Sequence, residues 1–140
     1  MALTYFPVVA VIKAIRTDSV DAGGDPDTQF VSSTVTFTPS VSQIHSVADE
    51  VIYRLQPLRG RTDVADGVLR TVDGNTLKLV ANTSVLGLDE LFYDVTFSNI
   101  VYDRQPDPLI DGFRFLAPED TTEIDLATVE RFPLPRDRTR

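Results

Sequence analysis

The sequence predicts an all-β protein: a single β-sandwich-like domain of about seven to nine strands with an extended C-terminal arm. Three observations predict it. Val35 and Phe37 alternate with Thr34, Thr36 and Thr38, β-branched residues that suit a half-buried strand, and Pro39 ends the run. Tyr93, Val95 and Phe97 alternate with Asp94, Thr96 and Ser98, a period of two that puts the large side chains on one face. Two short apolar runs, residues 68–72 and 76–80, flank Asp73-Gly74-Asn75, where Gly and Asn accept the positive φ that a hairpin turn demands.

Taken in order, residues 9–16 set Val9, Val11, Lys13 and Ile15 against Ala10, Ile12, Ala14 and Arg16, apolar on both faces until the charges arrive, as in a mostly covered strand. Residues 18–27 hold Gly23-Gly24 and Asp25-Pro26 and cannot continue it. The aspartates of this loop raise calcium binding, but the alternate oxygen ligands, central Gly and closing Glu of an EF-hand loop are not supplied, so a solvated turn is expected. The Ser-rich residues 40–49, with His45 among them, form a loop or a strand of poor periodicity. Val51, Tyr53 and Leu55 then oppose Ile52 and Arg54 in a short strand closed by Pro57.

Arg54, Arg59, Arg61 and Arg70 make a locally basic segment around Gly60. It admits an anion site, but in so acidic a chain the expected role is pairing with carboxylates of adjoining loops or of a neighbouring subunit. Asn82-Thr83-Ser84 is a polar turn, and residues 86–91 are an irregular link or one helical turn. The strand from Tyr93 loses phase at Ser98-Asn99, because Ile100 and Tyr102 carry the apolar set onward; one inserted residue in a bulge accounts for the shift. Gln105-Pro106-Asp107-Pro108 reads as a turn, since two prolines remove two amide donors. Phe113, Phe115 and Leu116 form a last strand ending at Pro118. The acids of residues 119–123 suit the start of one or two helical turns carrying Ile124, Leu126 and Val129.

Composition narrows the function. With 140 residues, one domain over 1–130 and an arm over 131–140 are expected. Hydrophobic residues at 42% and charged residues at 24% are values of a chain that folds. The net charge of -8 repels phosphate backbones, so nucleic acid is not an expected partner. There is no cysteine, hence no disulfide, thiolate metal site or cysteine nucleophile. The apolar run of residues 8–12 lacks a basic leader and a small-residue cleavage site, and no run approaches the roughly 18–20 apolar residues that cross a bilayer, so membrane insertion is not expected.

Chemistry is equally thin. His45 is the sole histidine, no Gly-x-Ser-x-Gly elbow accompanies it, and a general base needs an orienting partner. No cluster has zinc-ligand spacing, and Gly23-Gly24 is followed by acids rather than by the Lys-Ser of a phosphate loop. Paired carboxylates carry no signal among 21 acids. No enzyme activity, cofactor or metal is expected.

The end of the chain differs in kind, with two prolines and four arginines against one acid between Phe132 and Arg140, counting Arg131. Such a segment has no core of its own. It is expected to be held by the acidic surface of a neighbouring copy or another protein through Phe132, Leu134, Arg136, Arg138 and Arg140, the alternative being an arm folded back on its own domain.

Two long segments, VADGVLRTVDGNTLKLVANTSVLGLDELFYDVTFSNIVYD and IDGFRFLAPEDTTEIDLATVERFPL, together with Val35-Thr36-Phe37-Thr38-Pro39, resemble minor tail proteins of bacteriophages that infect actinobacteria. The shared motifs are structural: an Asp-Gly turn, Tyr-Asp-Val-x-Phe, Phe-x-Phe-x-Ala-Pro and the Asp-Leu beyond it. The resemblance implies a β-rich virion component present in several copies near the tail tip, with copies of itself and other virion proteins as partners. A capsid decoration protein is the nearest alternative. A carbohydrate-binding module touching a host-surface glycan is a further one, with Tyr5, Tyr53, Tyr93 and Tyr102 as platforms, although Tyr53 and Tyr93 fall on faces expected to be buried.

Overall fold

The computed structural model describes residues 3–16, 27–63, 66–102, 105–106 and 112–134. Its strands are β1 (Tyr5–Val9), β2 (Lys13–Arg16), β3 (Asp27–Phe30), β4 (Ser32–Pro39), β5 (Gln43–Ser46), β6 (Val51–Arg54), β7 (Leu58–Thr62), β8 (Arg70–Thr71), β9 (Leu77–Val80), β10 (Phe92–Tyr102), β11 (Gln105–Pro106), β12 (Phe113–Leu116) and β13 (Ile124–Asp125). The described residues contain no helix. The all-β, sandwich-like class expected from the sequence is present, cut into more and shorter strands than about seven to nine. The largest sheet has the order β11-β10-β4-β7-β8, with β12 also on β10; a smaller one has the order β13-β1-β9; β2-β3 and β5-β6 are separate pairs.

Alternation decides what each layer buries. Val35 and Phe37 of β4, Tyr93 and Val95 of β10, and Phe113 and Phe115 of β12 point inward from the large sheet, and Phe6, Val8, Leu77 and Leu79 point inward from the small one. The layers meet at Phe6. Its ring lies edge-on to Tyr93 at 6.0 Å and to Phe115 at 6.2 Å, while Tyr93 and Phe115 stack at 5.9 Å. The Tyr93 hydroxyl donates to the Val80 carbonyl of the small sheet at 2.9 Å, so the one polar group in this cluster also joins the layers.

The side of the sandwich is closed by residues 10–12 running beside 67–69. The Ile12 amide donates to the Gly67 carbonyl at 3.0 Å and the Leu69 amide to the Ala10 carbonyl at 2.9 Å, and Val11 bridges Val68. The expected single strand over residues 9–16 therefore breaks, and Val11 is exposed. Gly60 of β7 sits where this closure crowds the large sheet: a Cβ there would lie 2.9 Å from the Arg70 carbonyl oxygen and 3.0 Å from Leu69 Cδ1. The buried hydroxyls of Ser33 and Thr62 are matched locally. Thr62 Oγ1 donates to the Val31 carbonyl at 2.7 Å, which leaves it to accept from Ser33 Oγ at 2.9 Å.

Several expectations are corrected by the pairing. The turn at Asp73-Gly74-Asn75 is real, with Gly74 at φ 88° and the Thr71 amide bonded to the Asn75 carbonyl at 2.8 Å. It does not close a hairpin, however, because β8 pairs with β7 and β9 pairs with β1. The turn instead carries the chain from one layer to the other. Gln105-Pro106 is not a turn but pairs with Val101 and Tyr102. Where helical turns were expected, Ile124-Asp125 lies parallel to Val8-Val9, and only a single turn follows, in which the Asp125 carboxylate accepts from the Ala127 amide at 2.9 Å. The bulge is where the phase shift puts it: the β10–β4 register slips between Ser98 and Val101, Asn99 takes φ 50°, and Ile100 returns to the core.

Burial pushes the Tyr93 hydroxyl well above the usual tyrosine range. A folded-state value raised above the unfolded one gives stability that is complete below about pH 10 and is lost as the pH climbs past it, because the unfolded tyrosine ionises first. Urea unfolding of Tyr93→Phe should show a loss of about 1 kcal/mol at neutral pH and a shallower decline above about pH 10 than the parent shows. Equal alkaline slopes would contradict the buried, neutral hydroxyl.

Candidate functional site

The register that buries Val35, Phe37, Tyr93 and Val95 turns a largely polar face outward, with the Phe92–Leu116 pair at one end of it. Directly opposed residues lie on the same face of a sheet, so Ser98, Thr34, Arg61 and Arg70 form one row. Thr96, Thr36 and Arg59 form the next, and Thr38, Asp94 and Arg114 the third. Of the arginines in these rows, Arg70 and Arg114 are neutralised in place. Arg70 clasps Asp66 with Nη2 on Oδ2 at 2.8 Å and Nη1 on Oδ1 at 3.2 Å. That contact, with help from the Val68 amide, holds the Asp66 carboxyl below the usual carboxylate range and raises Arg70. Arg114 Nε donates to Asp94 Oδ1 at 2.7 Å, and its guanidinium lies 5.0 Å over the Phe92 ring. Arg59 and Arg61 are exposed and have no ion-pair partner among the described residues.

The basic segment is thus divided by the fold. Arg59, Arg61 and Arg70 share a face, whereas Arg54 lies on β6 at a separate cleft of about 300 Å³ floored by Leu55, Leu58, Val80 and Tyr93. The pairing with loop carboxylates expected of all four is found for Arg70 with Asp66.

A second exposed feature is the β5-β6 hairpin, hydrogen-bonded as a sheet to neither layer and anchored by the buried Ile44 and by Ser46 Oγ donating to the Val85 carbonyl at 2.6 Å. Its outer end is apolar: Val47 is 89% exposed, Ile52 59% and Val51 46%. The sequence carried one signal of this, a valine at a turn position between Ser46 and Asp49. His45 lies on the same hairpin, exposed, with Nε2 at 2.9 Å from Gln43 Nε2, beside a hollow of about 180 Å³ that Glu50 also lines.

The tyrosines divide in the same way. Tyr93 is in the core, and Tyr53 is half-buried with its hydroxyl donating to Asp49 Oδ2 at 2.6 Å, a bond that pushes its ionisation upward. Tyr5 is exposed. The loop over 18–27 that raised calcium falls outside the described residues except for Asp27, which begins β3. Among the described residues there is no group of three potential metal ligands and no helix long and apolar enough to cross a membrane.

The start of the expected arm belongs to the domain. Phe132 and Arg114 exchange both backbone hydrogen bonds, at 2.8 and 2.9 Å, and the Phe132 ring meets Phe92 edge-on at 5.4 Å. The Arg131 guanidinium lies 4.2 Å over the Phe113 ring and donates to the Leu126 carbonyl, and Leu134 lies against Gly112. Phe132 and Leu134, expected to reach a neighbour, therefore cover the free edge of β12, which would otherwise present unpaired amides. Arg136, Arg138 and Arg140 lie outside the described residues.

No family model, curated protein or solved structure matches the chain.

Replacing Phe132 with Ala should lower stability by about 1–2 kcal/mol, since a half-buried ring is lost from Phe92. Thermal unfolding measures it. An unchanged midpoint would mean that residues 131–134 do not hold the sheet edge in solution.

Proposed function

We propose that this chain is a non-enzymatic structural component of a tailed-phage virion, a minor tail protein that docks in several copies at the tail or tail tip. The observation that carries this reading is the β5-β6 hairpin. It groups three exposed apolar side chains, Val47, Val51 and Ile52, on one hairpin, with Val47 the most exposed of the large hydrophobic side chains among the described residues. Exposed valine and isoleucine grouped at the end of a rigid, anchored hairpin suit burial against an apolar surface of an adjoining virion protein. The likeness to minor tail proteins supports it in a second way. Its motifs fall on the framework: the Asp73-Gly74 turn crosses between layers, Tyr93 to Phe97 belong to β10, Phe113 to Leu116 are β12, and Asp125-Leu126 follow the strand beside β1.

A glycan-binding role draws less support, since the hydroxyls of Tyr53 and Tyr93 are engaged within the domain. Immunogold labelling of purified particles of the phage that encodes the chain tests the proposal. Gold at the tail or tail tip is the expected result. Label over the capsid would replace it with a decoration role, and particles without label would overturn a place in the virion.

A further inference from the structure

Arg59 and Arg61 stand two residues apart on β7, exposed, on a sheet face where their directly opposed neighbours are Thr36, Thr34 and the Asp66-paired Arg70. In a chain of net charge -8 two adjacent cations without an ion-pair partner among the described residues are conspicuous. The matching chemistry occurs at another place on the same molecule. The Ala117 amide donates to the Leu91 carbonyl at 2.8 Å and the Asn82 amide to the Pro118 carbonyl at 2.9 Å, which ties the loop before β10 to the loop after β12. Asp89 and Glu90 on the first loop and Glu119 and Glu123 on the second are exposed, so four carboxylates gather at one end of the sandwich. No ion pair among the described residues engages them.

We propose that the outer face of the large sheet, centred on Arg59 and Arg61, is the docking surface for the acidic end of a second copy of this chain. This rests on the reading of the chain as a multi-copy assembly module and names the surface and the partner. The two surfaces are different parts of one molecule, so the contact is heterologous, the kind that builds rings or stacks rather than closed two-fold dimers. Thr34 and Thr36 flank the arginines, with Ser98 and Thr96 one strand beyond, and supply hydrogen bonds around the charges. Phosphate polymers fit the site poorly, because the chain's overall negative charge repels them along their whole length. A second copy is also acidic overall, so association depends on local charge matching. Moderate salt screens the long-range repulsion while close pairs persist, and high salt removes both. Each exposed pair contributes little alone, so both arginines and several carboxylates must engage together.

Sedimentation velocity of the full chain, across a wide concentration range at about 0.15 M and about 1 M salt, is the test. The expected result is association at the lower salt that is lost at the higher. R59E/R61E and E119K/E123K, each folded by circular dichroism, should both be monomeric, and an equimolar mixture of the two should associate again. Should a reversal variant fail to fold, R59Q/R61Q takes its place and should weaken association at least tenfold. A parent chain that stays monomeric throughout overturns the interface, as does association that survives in both variants or a mixture that fails to recover it. Tail labelling together with a monomeric chain would refute this interface alone, whereas unlabelled particles would refute the virion reading itself.

Discussion

The contact on which the rest of the structure depends is the seating of Phe6 against Tyr93 and Phe115. β1 is the middle strand of the small sheet, with β9 on one side and β13 on the other, and Phe6 is its largest inward side chain. A three-stranded sheet of short strands has little reason to persist in water unless one face is covered. Phe6 supplies that cover by entering the angle between two rings of the large sheet. Removing such a ring from a core costs about 3–5 kcal/mol, a large share of the roughly 5–15 kcal/mol that holds a domain together. The hydrogen bond from Tyr93 to Val80 fixes the same contact in direction, since it is satisfied only when the layers are in register.

The outer face follows from the inner one. Strand side chains alternate, so whatever places Val35 and Phe37 inward places Thr34, Thr36, Arg59 and Arg61 outward. A slip of one residue would exchange the two sets, and the bulge at Asn99 lets β10 keep Ile100 in the core after the ladder shifts. The edges are managed as well. β8, β11 and β13 are only two residues long, and the segment through Phe132 lies along β12, so the open backbone available for unintended strand pairing is short. What the fold leaves exposed is side chains: the arginines of the sheet face, the carboxylates of the far loops and the valines and isoleucine of the β5-β6 hairpin.

Much of this was legible in the sequence because period-two alternation reports directly on burial. It located β4, β10 and β12, their inward residues and the phase shift at Ser98-Asn99. Partnership was not legible. The Asp73-Gly74-Asn75 turn satisfies its own hydrogen bonds whether the flanking runs pair with each other or part to different sheets, and the second outcome, β8 on β7 and β9 on β1, depends on strands far away in sequence. The acids of residues 119–123 suit a helix start, yet Val8 and Val9 offer a strand edge that the local pattern cannot reveal. The candidate surfaces were half visible for the same reason. Four arginines near Gly60 were evident, but which of them share a face depends on pairings across β4, β7 and β8.

The central claim is that the two layers form one cooperative unit through the Phe6, Tyr93 and Phe115 cluster. Native-state hydrogen exchange, followed residue by residue at increasing low denaturant, tests it most directly. The account predicts that the slowest amides of β1 and β9 and those of β10 and β12 converge on a single opening free energy, and that Phe6→Ala lowers all of them together. Exchange of the β1 and β9 amides at a distinctly lower free energy than those of β10 and β12, with the latter unmoved by Phe6→Ala, would contradict it.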